Sequence, residues 1–139
     1  MLRWTPPRYL QLVRTSAAYD LVVTAPFATP WTLAWLHAGL QRLAAALGVA
    51  GLPPLDSLHV LFANLLGVIV VVWSVLRLRD PTVTLGRHDA AARAGFCLAM
   101  LYALTHGASP LVAGFAVLEF AFFVAQAMPV REAGVRPRS

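Results

Sequence analysis

The chain has 139 residues, 59% of them hydrophobic and 12% charged, and a formal net charge of +5. That is too apolar for a soluble domain of this size, so the sequence reads as an integral membrane protein. All eleven basic side chains are arginine; they flank apolar runs instead of forming a stripe, which argues against a nucleic-acid partner, and together with abundant Ala, Leu, Gly and Pro they point to a GC-rich coding genome.

Met1 to Arg8 is a short basic segment with Trp4, Pro6 and Pro7, the composition of an interfacial anchor. No cleavable signal pattern is read in it. From Tyr9 to Leu47 the chain is apolar but too long for one span, since an unbroken helix would run about 60 Å. Pro26 and Pro30 divide it into a first span, residues 8–29, and an interfacial helix, 30–47. Trp31 and Trp35 then fall at the outer interface, and His37, Gln41 and Arg42 lie opposite leucines, as in a helix lying in the headgroup region. The alternative is a span over 17–36. The choice sets the depth of Asp20, mid-membrane in one case and near the inner boundary in the other.

Gly48 to Pro54 is a turn segment, and Asp56 or Ser57 caps the next helix. The second span covers 58–78 and carries a small or polar stripe of Ser57, Asn64, Gly67 and Ser74. Arg77, Arg79, Asp80, Pro81, Gly86 and Arg87 make a basic inner loop. The third span covers 89–106, with Asp89 as a negative charge at its amino terminus and Gly95, Ala99 and Ala103 as a ridge of small residues. Arg93, one turn in, has Asp89 as its simple partner and pairs across to Asp20 only if the first span begins late. The lone cysteine, Cys97, forms no internal disulfide and reads as a small core residue.

The fourth span covers 110–128. Ser109 and Pro110 start it and Pro129 stops it. Glu119 and Gln126, seven residues apart, share one helical face, and Glu119 lies roughly 13 Å below the Pro110 end of a core about 30 Å thick. An ionised acid facing lipid there costs on the order of 2.5 to 3.5 kcal/mol, so Glu119 faces other helices. It is either an acid satisfied by a neighbour as packing glue or a proton or cation site. Residues 130–139 form a disordered basic tail. Ten arginines against Arg42 alone place both termini in the cytoplasm by the positive-inside rule.

The fold class expected is therefore all-α: a single membrane domain of four transmembrane helices with one interfacial helix after the first span, in the bacterial inner membrane. The candidate ligand or proton site is a cluster of Glu119, Asp20, Asn64 and Tyr102 in the outer half of the bundle. His37, His59, His88 and His106 are not spaced as a metal pair, and no nucleophile elbow, phosphate loop, dinucleotide fingerprint or CxxC occurs; no catalytic residue, metal or cofactor is expected.

In size, in its four spans and in an acid within the membrane, the chain resembles small multidrug transporters, which bind cations on a membrane glutamate as dimers. Those carry the acid in the first span, where this chain has Asp20 in the setting YDLVVTAPF. An acid-bearing first span with prolines, an outer amphipathic segment and three further spans is similar to the sterol-isomerase superfamily. Neither diagnostic motif is present and no family is assigned. The leading expectation is a non-catalytic bundle that binds a membrane protein partner, further copies of itself, or a small amphipathic or cationic ligand. The alternatives are an oligomeric proton- or cation-coupled transporter and a lipid or sterol-type isomerase working with Asp20 and Glu119.

Overall fold

The computed structural model describes residues 3–131, and among these the regular elements are helices: α1 Pro6–Thr24, α2 Pro30–Leu47, α3 Ser57–Arg79, α4 Val83–Thr105 and α5 Leu111–Ala127. Prolines and small polar residues set the boundaries. Pro6 and Pro7 open α1, where a missing N–H is no loss. Its last turn tightens into a 3₁₀ turn, Ala25–Ala28, around Pro26. Thr29 then caps α2 by accepting from the Thr32 N–H at 3.3 Å, with Pro30 at the first helical position. Gly48 ends α2 in the left-handed conformation, φ 64°, and lets the Val49 N–H return to the Ala44 carbonyl. Asp56 caps α3 through the His59 N–H at 2.8 Å.

One boundary differs from expectation. The third apolar helix begins at Val83, not Asp89, because Thr82 caps it by accepting from the Leu85 N–H at 3.1 Å. Gly86 is accordingly not a breaker. It lies inside α4 where a Cβ would come within 2.7 Å of the Tyr9 hydroxyl and of Val13, so its missing side chain is what lets α4 approach α1.

Side-chain contacts fix the packing. Ser16 and Asp20 of α1 meet Arg77 near the end of α3, while Phe27 meets Asn64 near its start, so α1 and α3 run antiparallel. Gly86 lies on Tyr9 and Val13 and Arg93 reaches Asp20, so α4 runs parallel to α1. Gln126 reaches back to Ser16, and Phe122 packs on Tyr19 at 5.2 Å between ring centres, so α5 descends beside α1. The result is an up-down bundle of α1, α3, α4 and α5. α2 leans on its flank, burying Leu33 and Ala44 while Trp31 and Trp35 stay exposed.

The two ends of the chain are tied together. Trp4 and Val130 form a parallel bridge, the Trp4 N–H donates to the Pro129 carbonyl at 2.9 Å, and the Arg131 N–H donates to the Trp4 carbonyl. Val130 and Arg131 are thus ordered where a disordered tail is expected from 130 onward; residues 132–139 of that tail lie outside the described residues. α3 is long and apolar enough to cross a membrane, with mean hydropathy 2.3, and α5 is a shorter apolar helix.

Gly67 marks the closest helix approach to the 3₁₀ turn: a Cβ there would stand 2.5 Å from the Ala28 nitrogen and the Phe27 carbonyl carbon. Backbone atoms do not yield as a flexible side chain does, so Gly67→Ala should lose about 1 to 3 kcal/mol to overpacking. That outweighs the roughly 1 kcal/mol gained from helix propensity. Gly39→Ala, with nothing within 4 Å of its Cβ position, should show only the gain. Thermal unfolding of the two variants measures the difference in sign.

The exposed Asp56 cap has its own pH signature. The hydrogen bond from the His59 N–H holds the carboxyl below its ordinary value of 3.8. Its stabilisation is complete above that value and disappears as pH falls through the lowered one. Asp56→Asn, which keeps the acceptor, should remove this acid-limb loss, read from the unfolding midpoint against pH.

Candidate functional site

The centre of the bundle is charged. Arg77 and Arg93 are among the most buried side chains in the molecule, at 0% and 1% exposure, and a buried guanidinium persists only when its donors are matched. Arg93 is matched by three carboxylates from three helices. Its Nε donates to Asp89 Oδ2 at 3.0 Å, its Nη2 to Asp20 Oδ2 at 2.6 Å and its Nη1 to Glu119 Oε2 at 2.6 Å. The guanidinium also lies over the Phe122 ring, 4.8 Å from its centre. Arg77 joins α3 to the same acids, with Nη2 on Asp20 Oδ2 at 2.5 Å and Nη1 on Asp89 Oδ2 at 2.6 Å. One connected set of ion pairs therefore closes all four helices of the bundle.

A layer of neutral polar groups lies below the charges. Gln126 donates through Nε2 to both Ser16 Oγ and Asp89 Oδ2 at 2.9 Å. Trp73 donates its indole N–H to Asp89 Oδ1 at 3.0 Å. Around the carboxy-terminal end of α5, the freed Gln126 carbonyl accepts from the Tyr9 hydroxyl and from Arg87, both at 2.8 Å, and Arg87 also donates to the Met128 carbonyl at 2.9 Å. Arg87 is thus a helix cap, engaged with carbonyls and stacked on Tyr9.

Of the four residues expected to converge, two do. Asp20 and Glu119 are brought together on one arginine. Asn64 is placed elsewhere, donating to the Phe27 carbonyl at 2.7 Å where α3 crosses the 3₁₀ turn. Tyr102 is exposed and stacks on His106 at 4.0 Å. Arg93 takes both of its possible partners, Asp89 along its own helix and Asp20 across the bundle. The first helix, starting at Pro6, runs far enough to bring Asp20 level with Arg77 and Arg93.

Arg77 is the member that sequence reasoning misses, and Asp89, expected as Arg93's partner along α4, also takes Trp73, Arg77 and Gln126 across the bundle. Both sit within a few residues of the loop between α3 and α4, a position that by itself suggests the inner membrane boundary. The signal is periodicity: Arg77 continues the stripe of Gly67 and Ser74 along α3, and Asp89 and Arg93 share a face at spacing four. Gln126, expected on the face of Glu119, lies there.

Cavities lie elsewhere. A shallow hollow of about 330 Å³ runs along Trp35, Gly39 and Leu43 on the outer side of α2, and one of about 160 Å³ lies by Trp4, Arg8 and Met128. No grouping of three or more metal-ligating side chains is found among the described residues. Comparison with known families, curated proteins and solved structures finds no match.

Removing Arg93 leaves Asp20 and Glu119 short of a partner in a buried setting, so Arg93→Met should cost about 3 to 5 kcal/mol. Glu119→Gln removes only one of three acids from Arg93 and should cost much less. Arg93→Lys should restore little, because a point charge does not reproduce a fork that spans three carboxylates. Denaturant unfolding of the three variants gives the ranking.

Proposed function

We propose that this chain is a non-catalytic four-span bundle of the bacterial inner membrane, with α1, α3, α4 and α5 as the spans, α2 lying in the outer interface and both termini cytoplasmic, and that it works by binding a partner in the membrane. The supporting observation is its inverted polarity. Ser16, Asp20, Ser74, Arg77, Asp89, Arg93, Glu119 and Gln126 are buried in the bundle beside only a few apolar side chains such as Tyr9, Val13, Ala17 and Ala90, whereas Val22, Ile69, Leu98 and Val117 are each at least 66% exposed on the outside. In water such an arrangement forfeits the hydrophobic drive to fold; in lipid it is the favourable one, because apolar side chains meet apolar solvent and polar groups satisfy one another.

The network also accounts for the weak membrane signature of two helices. α1 and α4 are 19 and 23 residues long, enough for the hydrocarbon core at about 1.5 Å per residue. Arg8, Arg14, Asp20, Asp89 and Arg93 dilute their hydropathy, but Asp20, Asp89 and Arg93 spend their charge on one another inside the bundle. The exposed arginines at the α1-start end, Arg3, Arg8, Arg79 and Arg131, keep the positive-inside bias after the buried ones are set aside. Trp31 and Trp35 on α2 have the composition of an outer aromatic belt.

The isomerase alternative draws no support from this geometry, because the Arg93 guanidinium occupies the space between the two acids that such chemistry needs for its substrate.

A reporter fused after residue 139 tests the topology. A fluorescent protein that matures only in the cytoplasm should glow, and a phosphatase active only in the periplasm should be silent. Fusion in the α2–α3 turn, after Gly51, should give the opposite pair. Matching signals at the two positions, or a chain released from membranes by alkaline carbonate, would overturn the four-span reading.

A further inference from the structure

The buried network is not neutral. Three carboxylates, Asp20, Asp89 and Glu119, share two guanidiniums, Arg77 and Arg93, which leaves one negative charge over. Arg87, on the same helix as Arg93, has its two terminal nitrogens committed to the Gln126 and Met128 carbonyls. An uncompensated charge in a medium of low dielectric is the least favourable state available to such a cluster.

The excess has an address. Asp89 is the best served of the three acids: its two oxygens accept from Trp73, Arg77, Arg93 and Gln126. Asp20 receives both arginines on Oδ2, and Glu119 receives Arg93 alone on Oε2. Asp20 Oδ1 and Glu119 Oε1 accept no hydrogen bond among the described residues, and these two side chains are the ones in the network that reach its edge, at 11% and 12% exposure. The Tyr19 hydroxyl, next to Asp20 in sequence, within electrostatic reach of Glu119 and Asp20 and packed through its ring on Phe122 of α5, is buried without a hydrogen-bond partner among the described residues. Three further buried atoms also lack one there: Oε1 of the fully enclosed Gln126, Oγ of Ser74 and Nε of Arg77. Glu119 touches Arg93 and lies within electrostatic reach of Asp20 and Tyr19 from α1 and of Asp89 and Cys97 from α4; α3 contributes Arg77, paired with Asp20 and Asp89.

We propose that the α1–α5 edge of this network, built from Asp20, Glu119 and the Tyr19 hydroxyl, is a binding site for one positive charge, filled by a proton or exchanged for a small monovalent cation. The requirement is arithmetical as well as local: one added positive charge makes the cluster neutral, and a second does not bind. The site does not depend on what the bundle binds on its outside, and its failure leaves the proposed topology and partner binding untouched.

The test uses the purified full chain in lipid nanodiscs, followed by infrared spectroscopy of the protonated-carboxyl band from mildly acidic to mildly alkaline pH, in a buffer whose only cation is the bulky N-methylglucamine. One protonated carboxyl per chain is expected, lost as pH rises. Neutralising either acid of the site balances the count, so Glu119→Gln and Asp20→Asn should each abolish the band. Sodium, potassium and methylammonium chlorides are then added at fixed pH. Loss of the band identifies cation exchange, and its persistence identifies a proton site. Absence of any protonated-carboxyl band in folded wild-type protein overturns the proposal, and so does survival of an undiminished band in folded Glu119→Gln.

Discussion

The structure depends on one guanidinium. Arg93 holds an acid from α1, an acid from its own helix and an acid from α5, and through Asp20 and Asp89 it is coupled to Arg77 of α3. A planar fork with fixed donor directions accepts those partners in one arrangement only, so the helices' relative depth and rotation are set together. In a membrane this matters more than in water, because helices surrounded by lipid gain no hydrophobic energy by associating and must be fitted by close packing and hydrogen bonds. Gly67 and Gly86 supply the close packing at two crossings, and the ion network supplies the register.

Such a network has a double character. Bringing five charged groups out of water costs about as much as their mutual attraction returns, so the cluster contributes more to a unique geometry than to stability. It also makes every member hard to remove singly. The same low-dielectric setting that punishes a missing partner punishes a charge count that does not balance, and three acids against two arginines leave the cluster receptive to one cation.

The helices are legible in the sequence because prolines, caps and glycines announce themselves locally: Pro26 and Pro30 divide α1 from α2, Asp56 caps α3, and Gly107, at φ 89°, closes α4. The start of α4 is not legible, since Thr82 follows Asp80-Pro81 in a segment whose arginines and Gly86 resemble a loop; only the Tyr9 and Val13 surface that receives Gly86 explains why a glycine belongs inside that helix. The centrality of Glu119 follows from its depth alone. The network around it does not, because Arg77 and Asp89, which are linked to Glu119 only through Arg93, lie near helix ends in sequence, where a charge is as readily solvated as buried. Their burial is a property of how α1 and α4 rise beside α3, and no local pattern encodes it. Asn64 lies near the depth of Glu119 by residue count, but rotation about the α3 axis turns it toward Phe27 instead.

Hydrogen exchange of the arginine side chains tests the central claim most directly. In nanodiscs containing protein labelled with nitrogen-15 arginine, the guanidinium protons of Arg77 and Arg93 should persist after transfer to heavy water, while those of Arg8 and Arg79, which are exposed at helix ends, should vanish at once. Loss of all guanidinium signals at the same rate would contradict this, and would mean that no buried arginine network holds the bundle together.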